Sequence, residues 1–399
     1  MNKRILILVG IPDFDYSNQM SAVAAFLKTV KTAFENDGHE VDFGENKTLV
    51  FEKDARPELI SPFGLRPKII NGLKHGVKVA VKSWPWLYHS LAFRRYFKQQ
   101  DKLYWKIFNR KPYDMVVEFH TVGSTVGRQL AEHWDAEFSV IFDSPVEEQF
   151  YEMHGTKTTH WSRILNSEKV TLEAADHIMV YSPACEAHIL TKYKIKGKVG
   201  VLPCVVNKTN VNNNPQQSEF IIGFIGSFLS WHKVDLLVKV FKKFHEKHVH
   251  ARLQLIGYGM EWDKVKTLVD QLDLTEVVEM PGFVSEAELL NCKTRCSVAI
   301  MPGSNWYGSP LKLFEYAQSQ IPFIAPTTKT VVSIFQENEH CLYIDPENEA
   351  ISLLEKLTFS IENPLKMNDM ANRAQTFVRE NFEATIYNEK LVEVLMTKP

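Results

Sequence analysis

The sequence has no CxxC pair and no zinc-type His/Cys spacing, and its five cysteines (Cys185, Cys204, Cys292, Cys296 and Cys341) are an odd number spread over 399 residues. A disulfide-stapled scaffold and a structural zinc site are excluded, and the thiols read as free in a reducing cytoplasm. No stretch reaches the ~18 uninterrupted apolar residues that a spanning helix needs. The run from Ile5 to Val9 after Met1-Asn2-Lys3-Arg4 is too short for a signal peptide, is followed by Asp13 and Asp15 without a cleavage site, and reads as a buried strand. P-loop, G-x-S-x-G and H-E-x-x-H patterns are missing, and Gly10-Ile11-Pro12 is no dinucleotide fingerprint. Nor does either charge dominate: 46 Lys and Arg against 48 Asp and Glu give a net −2, which excludes a surface built throughout for nucleic acid.

What is present is globular: 45% of residues are apolar and 24% charged. At roughly 150 residues per domain, two or three domains are expected. Strand-like runs alternate with helical-period segments, the signature of parallel βαβ architecture. The first series predicts strands at 4–10, 41–43, 114–120, 138–142, 177–181 and 198–202. Residues 207–218 (NKTNVNNNPQQS) are polar and Asn-rich and read as a linker. A second series predicts strands at 221–226, 252–257, 277–280, 298–301, 323–325 and 342–344, with helices such as 234–245 and 311–318 and two more at the end of the chain. The expected fold class is α/β, with two Rossmann-like, doubly wound parallel-sheet domains facing across a cleft. Ligands sit at the carboxyl ends of such strands, so this plan suits a two-substrate transferase.

The strongest local pattern is Gly308-Ser309-Pro310-Leu311-Lys312-Leu313-Phe314-Glu315-Tyr316. A Gly/Ser/Pro turn opens a helix after a strand and points N–H groups at a ligand, as a phosphate requires. Lys312 and Glu315, three apart, share a face; the spacing alone fits equally well a solvated ion pair. His120 ends a strand and fits either a cleft-floor ligand contact or a core histidine. Asp143 and Glu148 also follow a strand; they fit acceptor-hydroxyl binding or capping of the next helix. Asp13-Phe14-Asp15 has D-x-D spacing, but turn chemistry explains it. The run from His245 to His250 reads as a solvated helix end, and Cys292 with Cys296 as packing.

The stretch from Gly308 to Tyr316, followed by Ile321-Pro322-Phe323-Ile324-Ala325, resembles the donor-site segment of the retaining, GT-B-fold glycosyltransferases of family 4, the glycosyl transferases group 1. Further segments resemble that family in order: Ala174 to Ser182, Val201 to Val206, Gly223 to Leu237, Leu255 to Gly259 and Val278 to Val284. The resemblance implies a GT-B enzyme that moves a sugar from a nucleotide-diphosphate donor to a glycan or lipid-linked acceptor with retention, in bacterial polysaccharide or glycolipid assembly. It implies no required cofactor or metal; the nucleotide sugar is a co-substrate. Glu315 is implied to hold the donor ribose, Lys312 and Lys233 the diphosphate, the backbone around Phe283 and Val284 the base, and His120 the sugar. Ser227, Gly308 and Ser309 belong to the same substrate-binding set. Two departures stand out: Tyr307 occupies the place of the family's first motif glutamate, and the usual Lys-Gly after the second-domain opening reads His232-Lys233. The implied division is 1–206 as the acceptor-side domain, 207–218 as linker, 219–380 as the donor domain, and 381–399 as a C-terminal helix returning to the first domain. A GT-B epimerase or phosphorylase, and a non-catalytic GT-B-like binding protein, are the alternatives.

Residues 66–111 carry twelve cations against one acid, Asp101, which leaves the remainder of the chain strongly acidic. Trp84, Trp86, Tyr88, Phe93, Tyr96, Phe97, Tyr104, Trp105 and Phe108 are interleaved. Cations with interfacial aromatics suit an anionic leaflet, and the same residues suit solvated helices whose aromatics fill a core. The expected location is the cytoplasm, with peripheral contact at the inner face of the membrane, and no nucleic-acid partner.

Overall fold

The computed structural model describes residues 2–10, 14, 22–44, 85–155, 157–205 and 219–396. The D-x-D residues Asp13 and Asp15, the whole of the expected linker 207–218, and the cations between 66 and 84 lie outside the described residues. The chain divides into two compact units, Met1–Pro203 with Tyr387–Pro399, and Cys204–Ile386.

In the first unit β1 (Arg4–Val9), β2 (Glu40–Phe43), β3 (Met115–Phe119), β4 (Glu137–Ile141), β5 (His177–Val180) and β6 (Lys198–Val201) form one parallel sheet in the order β2-β1-β3-β4-β5-β6. The apolar runs of β1 and β3 are buried almost throughout, as expected for parallel strands covered by helices on both faces. Glu118 sits inside β3, fully buried. Its carboxyl accepts from the Gly127 N–H (2.9 Å) at the start of the helix Val126–Trp134, and burial raises its pKa. Gly127 has no side chain for a steric reason: a Cβ there would lie 2.4 Å from Glu118 Oε2.

The long helix Pro85–Phe108 was not expected as one regular element, because its cations and aromatics blur the apolar period. It buries Phe93, Tyr96, Phe97 and Ile107, and the Tyr96 hydroxyl and Gln100 amide both donate to the Gly10 carbonyl after β1. The last helix, Ala384–Leu395, packs on this same unit: Tyr387 donates to the Pro203 carbonyl (2.7 Å) and Ser139 of β4 to the Leu395 carbonyl (2.6 Å).

In the second unit β7 (Phe220–Ile225), β8 (Ala251–Ile256), β9 (Val278–Gly282), β10 (Val298–Ile300), β11 (Phe323–Pro326) and β12 (Leu342–Ile344) form a parallel sheet in the order β12-β11-β10-β7-β8-β9. Its core includes Phe224, Leu237, Val238, Phe241, Phe244, Leu253, Leu255 and Leu357. The helix Val234–His245 supplies Leu237, Val238, Phe241 and Phe244 at the spacing of one helical face. Both sheets are doubly wound. Their order reverses between β1 and β3 in one unit and between β7 and β10 in the other, and ligands of such sheets gather at the carboxyl ends of the strands flanking that reversal.

Candidate active site

In the second unit, the chain leaving β7 and the chain leaving β10 meet at the reversal point. After β7, a short 3-10 turn (Ser230–His232) buries His232. The His232 Nδ1–H donates to the Ser227 carbonyl (2.6 Å), which fixes the proton on Nδ1 and leaves Nε2 as an acceptor. Into that acceptor donates Lys312 Nζ (2.9 Å), from the first turn of the helix Leu311–Gln318 after β10. Burial, reinforced by the lysine's charge, holds the His232 pKa well below its ordinary value, so the imidazole is neutral. Burial also lowers Lys312 to about 8, with Glu315 pulling the other way. The lysine stem runs over Gly226, where a Cβ would lie 2.0 Å from Lys312 Cε.

Glu315, one turn along, pairs with the buried Lys293 (3.1 Å) from the helix Glu286–Arg295. Tyr316 locks the helix to the sheet, its hydroxyl accepting from the Ile225 N–H (3.1 Å). Ahead of the helix, Gly308 N–H donates to Asn305 (2.7 Å) and Ser309 Oγ to the Cys204 carbonyl (2.9 Å). Tyr307 is 1% exposed. Lys233 pairs with Glu349; its backbone is left-handed (φ 50°), the conformation the glycine of the Lys-Gly pattern adopts without cost. Phe283 and Val284 follow β9, and Phe283 is 46% exposed with its ring 6.0 Å from that of Tyr258. The turn Gly257-Tyr258-Gly259 approaches the chain after β7 backbone to backbone: a Cβ on Gly257 would meet the Gly226 carbonyl at 2.1 Å and one on Gly259 the Phe228 carbonyl at 2.3 Å.

In the first unit, His120 follows β3 and is 3% exposed. Its ring lies against Phe142 (5.9 Å, 18°), and neither ring nitrogen has a hydrogen-bond partner among the described residues. Glu168, fully buried on the helix Trp161–Ala174, comes within 3.5 Å of His120 Nε2. The same carboxylate accepts from the Val146 N–H (2.8 Å) and from the Tyr193 hydroxyl. Burial alone would raise its pKa, but His120 and these donors hold it below the ordinary value. Asp143 is pushed up to about 6 by burial, partly offset by the Tyr181 hydroxyl and His120. The helix Val146–His154, which carries the half-buried Glu148, has Pro145 at its N-cap, and Glu168 accepts from its first N–H.

Sequence reasoning missed Glu168, Lys293 and the partnership of His232 with Lys312. For Glu168 a signal exists: it stands four residues from both Ile164 and Leu172 on the buried stripe of its helix. Among the described residues no group of three or more His, Cys, Asp or Glu is arranged to hold a metal ion, and no helix is long and apolar enough to cross a membrane.

Residues 206–377 match the family described as glycosyl transferases group 1. Over 168 residues the chain is 26% identical to the putative colanic acid biosynthesis glycosyltransferase WcaL of Escherichia coli K12, the match covering 41% of each chain. The chain spans less than half the length of that relative. Sucrose-phosphate synthase from Thermosynechococcus elongatus superposes with a TM-score of 0.70 at 18% identity over 98% of both chains. Anabaena HepE in complex with UDP and glucose gives 0.65 at 13% over 98% of this chain and 99% of that one. These likenesses establish the fold as GT-B, two Rossmann-like α/β units.

Proposed function

We propose that the protein is a retaining glycosyltransferase that moves a sugar from a nucleotide-diphosphate donor to a glycan or lipid-linked acceptor in polysaccharide or glycolipid assembly. The observation that carries this reading is the Lys312 ammonium, held at the reversal point of the second sheet against a neutral imidazole rather than a carboxylate. The imidazole offers that cation no charge and Glu315 is shared with Lys293, so a leaving diphosphate supplies an anion to it. The match to glycosyl transferases group 1 over the same unit supports it.

Departure of a diphosphate from an anomeric carbon builds negative charge on phosphate and positive charge on the sugar, so preorganised electrostatics and positioning do most of the catalysis. Lys312 and the N–H groups opening its helix stabilise the leaving group. Glu315, paired with Lys293, accepts from the ribose hydroxyls, and the backbone at Phe283 and Val284 lies beside the base. His120, held beside Glu168, contacts the sugar, and Asp143 and Glu148 take acceptor hydroxyls. The departing phosphate collects the acceptor's proton, so no protein base is needed. The helix Pro85–Phe108 turns Arg94, Arg95, Lys98, Lys102 and Lys106 outward with Trp105, 60% exposed, and we assign to it peripheral contact with an anionic membrane face in the cytoplasm.

Thermal stabilisation by a panel of UDP- and GDP-sugars tests the donor site: a bound donor at 100 times its dissociation constant adds about 2.7 kcal/mol. Lys312→Ala removes that stabilisation and lowers transfer by orders of magnitude with the fold intact. Unchanged turnover in this variant overturns the reading.

A further inference from the structure

We propose that His232 is the positioning residue of the donor-phosphate site: a permanently neutral imidazole that aims the Lys312 ammonium without neutralising it. The inference rests on the donor reading given above. Its geometry is a relay of two bonds, from Lys312 Nζ to His232 Nε2 and from His232 Nδ1 to the Ser227 carbonyl. Because the carbonyl can only accept, the tautomer is fixed, and the lone pair of Nε2 faces the lysine. The residue stands where the family pattern has a lysine, and Lys233, next to it, is drawn off to Glu349. The phosphate site thereby holds one aimed cation in place of two mobile ones.

The surroundings of Lys312 are apolar or already committed. The Phe224 ring of β7 lies 5.9 Å from Nζ, Gly226 offers only backbone, and Glu315 on the same helix is shared with Lys293. Protonating His232 would place two cations 2.9 Å apart in a buried site, which is why the imidazole stays neutral. An acceptor at Nε2 favours the charged lysine, so losing it lowers the lysine's affinity for its proton by about one unit.

The test is the titration of Lys312 in the free, full-length protein, followed by 13C NMR of labelled lysine side chains and assigned through Lys312→Arg. The wild-type midpoint is expected near 8. His232→Phe keeps a ring but offers no acceptor and moves the midpoint down by about one unit; His232→Gln, whose Oε1 replaces Nε2, restores it. His232→Leu is a second acceptor-less variant if the phenylalanine disturbs folding. Affinity for UDP and GDP, by calorimetry, falls with the acceptor and returns with glutamine. A midpoint and affinity unchanged in the acceptor-less variants overturn the inference while nucleotide binding leaves the donor reading standing. Wild-type protein that binds neither nucleotide overturns both.

Discussion

A lysine whose nearest partner is a neutral imidazole stores unfavourable energy in the folded state, and Lys312 shows where it is stored. Folding takes its pKa from the ordinary 10.5 to about 8 through burial. Between those values the unfolded chain keeps a proton that the folded chain has released, so stability rises with pH from about 8 to about 10.5. Lys312→Met is expected to raise stability at pH 7 by on the order of 2 kcal/mol while abolishing transfer, and to lose that advantage near pH 10.5. Calorimetric melting of both proteins at pH 7 and pH 10.5 checks the sign; a less stable variant at pH 7 contradicts it. At this scale the sequence is legible only locally. Lys312 and Glu315 share a face because they lie three apart on one helix, whereas His232 meets Lys312 across 80 positions and only because β7 and β10 are neighbours.

Elements that sit in the two sheets are legible because parallel strands need continuous apolar runs, and all twelve strands appear within a residue or two of their expected places. Helices with a mixed face are not. Pro85–Phe108 has buried aromatics on one side and five cations on the other, so its pattern suited a core helix and a membrane-facing segment equally. Phe93, Tyr96 and Phe97 are core, and Arg94, Arg95, Lys98, Lys102 and Lys106 are exposed, as is Trp105. Each cation near an anionic leaflet contributes about 1 kcal/mol. Replacing Arg94, Arg95, Lys98 and Lys102 by glutamate is expected to abolish sedimentation with anionic vesicles at low salt, with the melting temperature little changed. Retained sedimentation assigns membrane contact to another surface.

For the whole molecule, the near-neutral charge hides a basic flank on an otherwise acidic chain, and the doubly wound order sets where each candidate site stands: His120 beside the reversal of the first sheet, Lys312 beside that of the second. The alternation of strands and helices makes that plan legible, since the reversal follows from strand order. The last helix is expected over 381–399 as one that returns to the first domain. Its residues from Tyr387 onward belong to the first unit, held through Pro203 and Ser139, so the chain enters the second unit once and leaves it once. The first unit is thus assembled from two separated stretches of sequence. A chain ending at residue 383 is expected to speed hydrogen exchange in β4 and β6 far more than in β7 and β8; equal change in both sheets contradicts this. The double crossing also means that a chain cut between Pro203 and Cys204 still joins the two units through Ile386–Tyr387. One such cut cannot separate them, and a fragment ending at Pro203 lacks the final helix whose Tyr387 and Leu395 bond to Pro203 and Ser139.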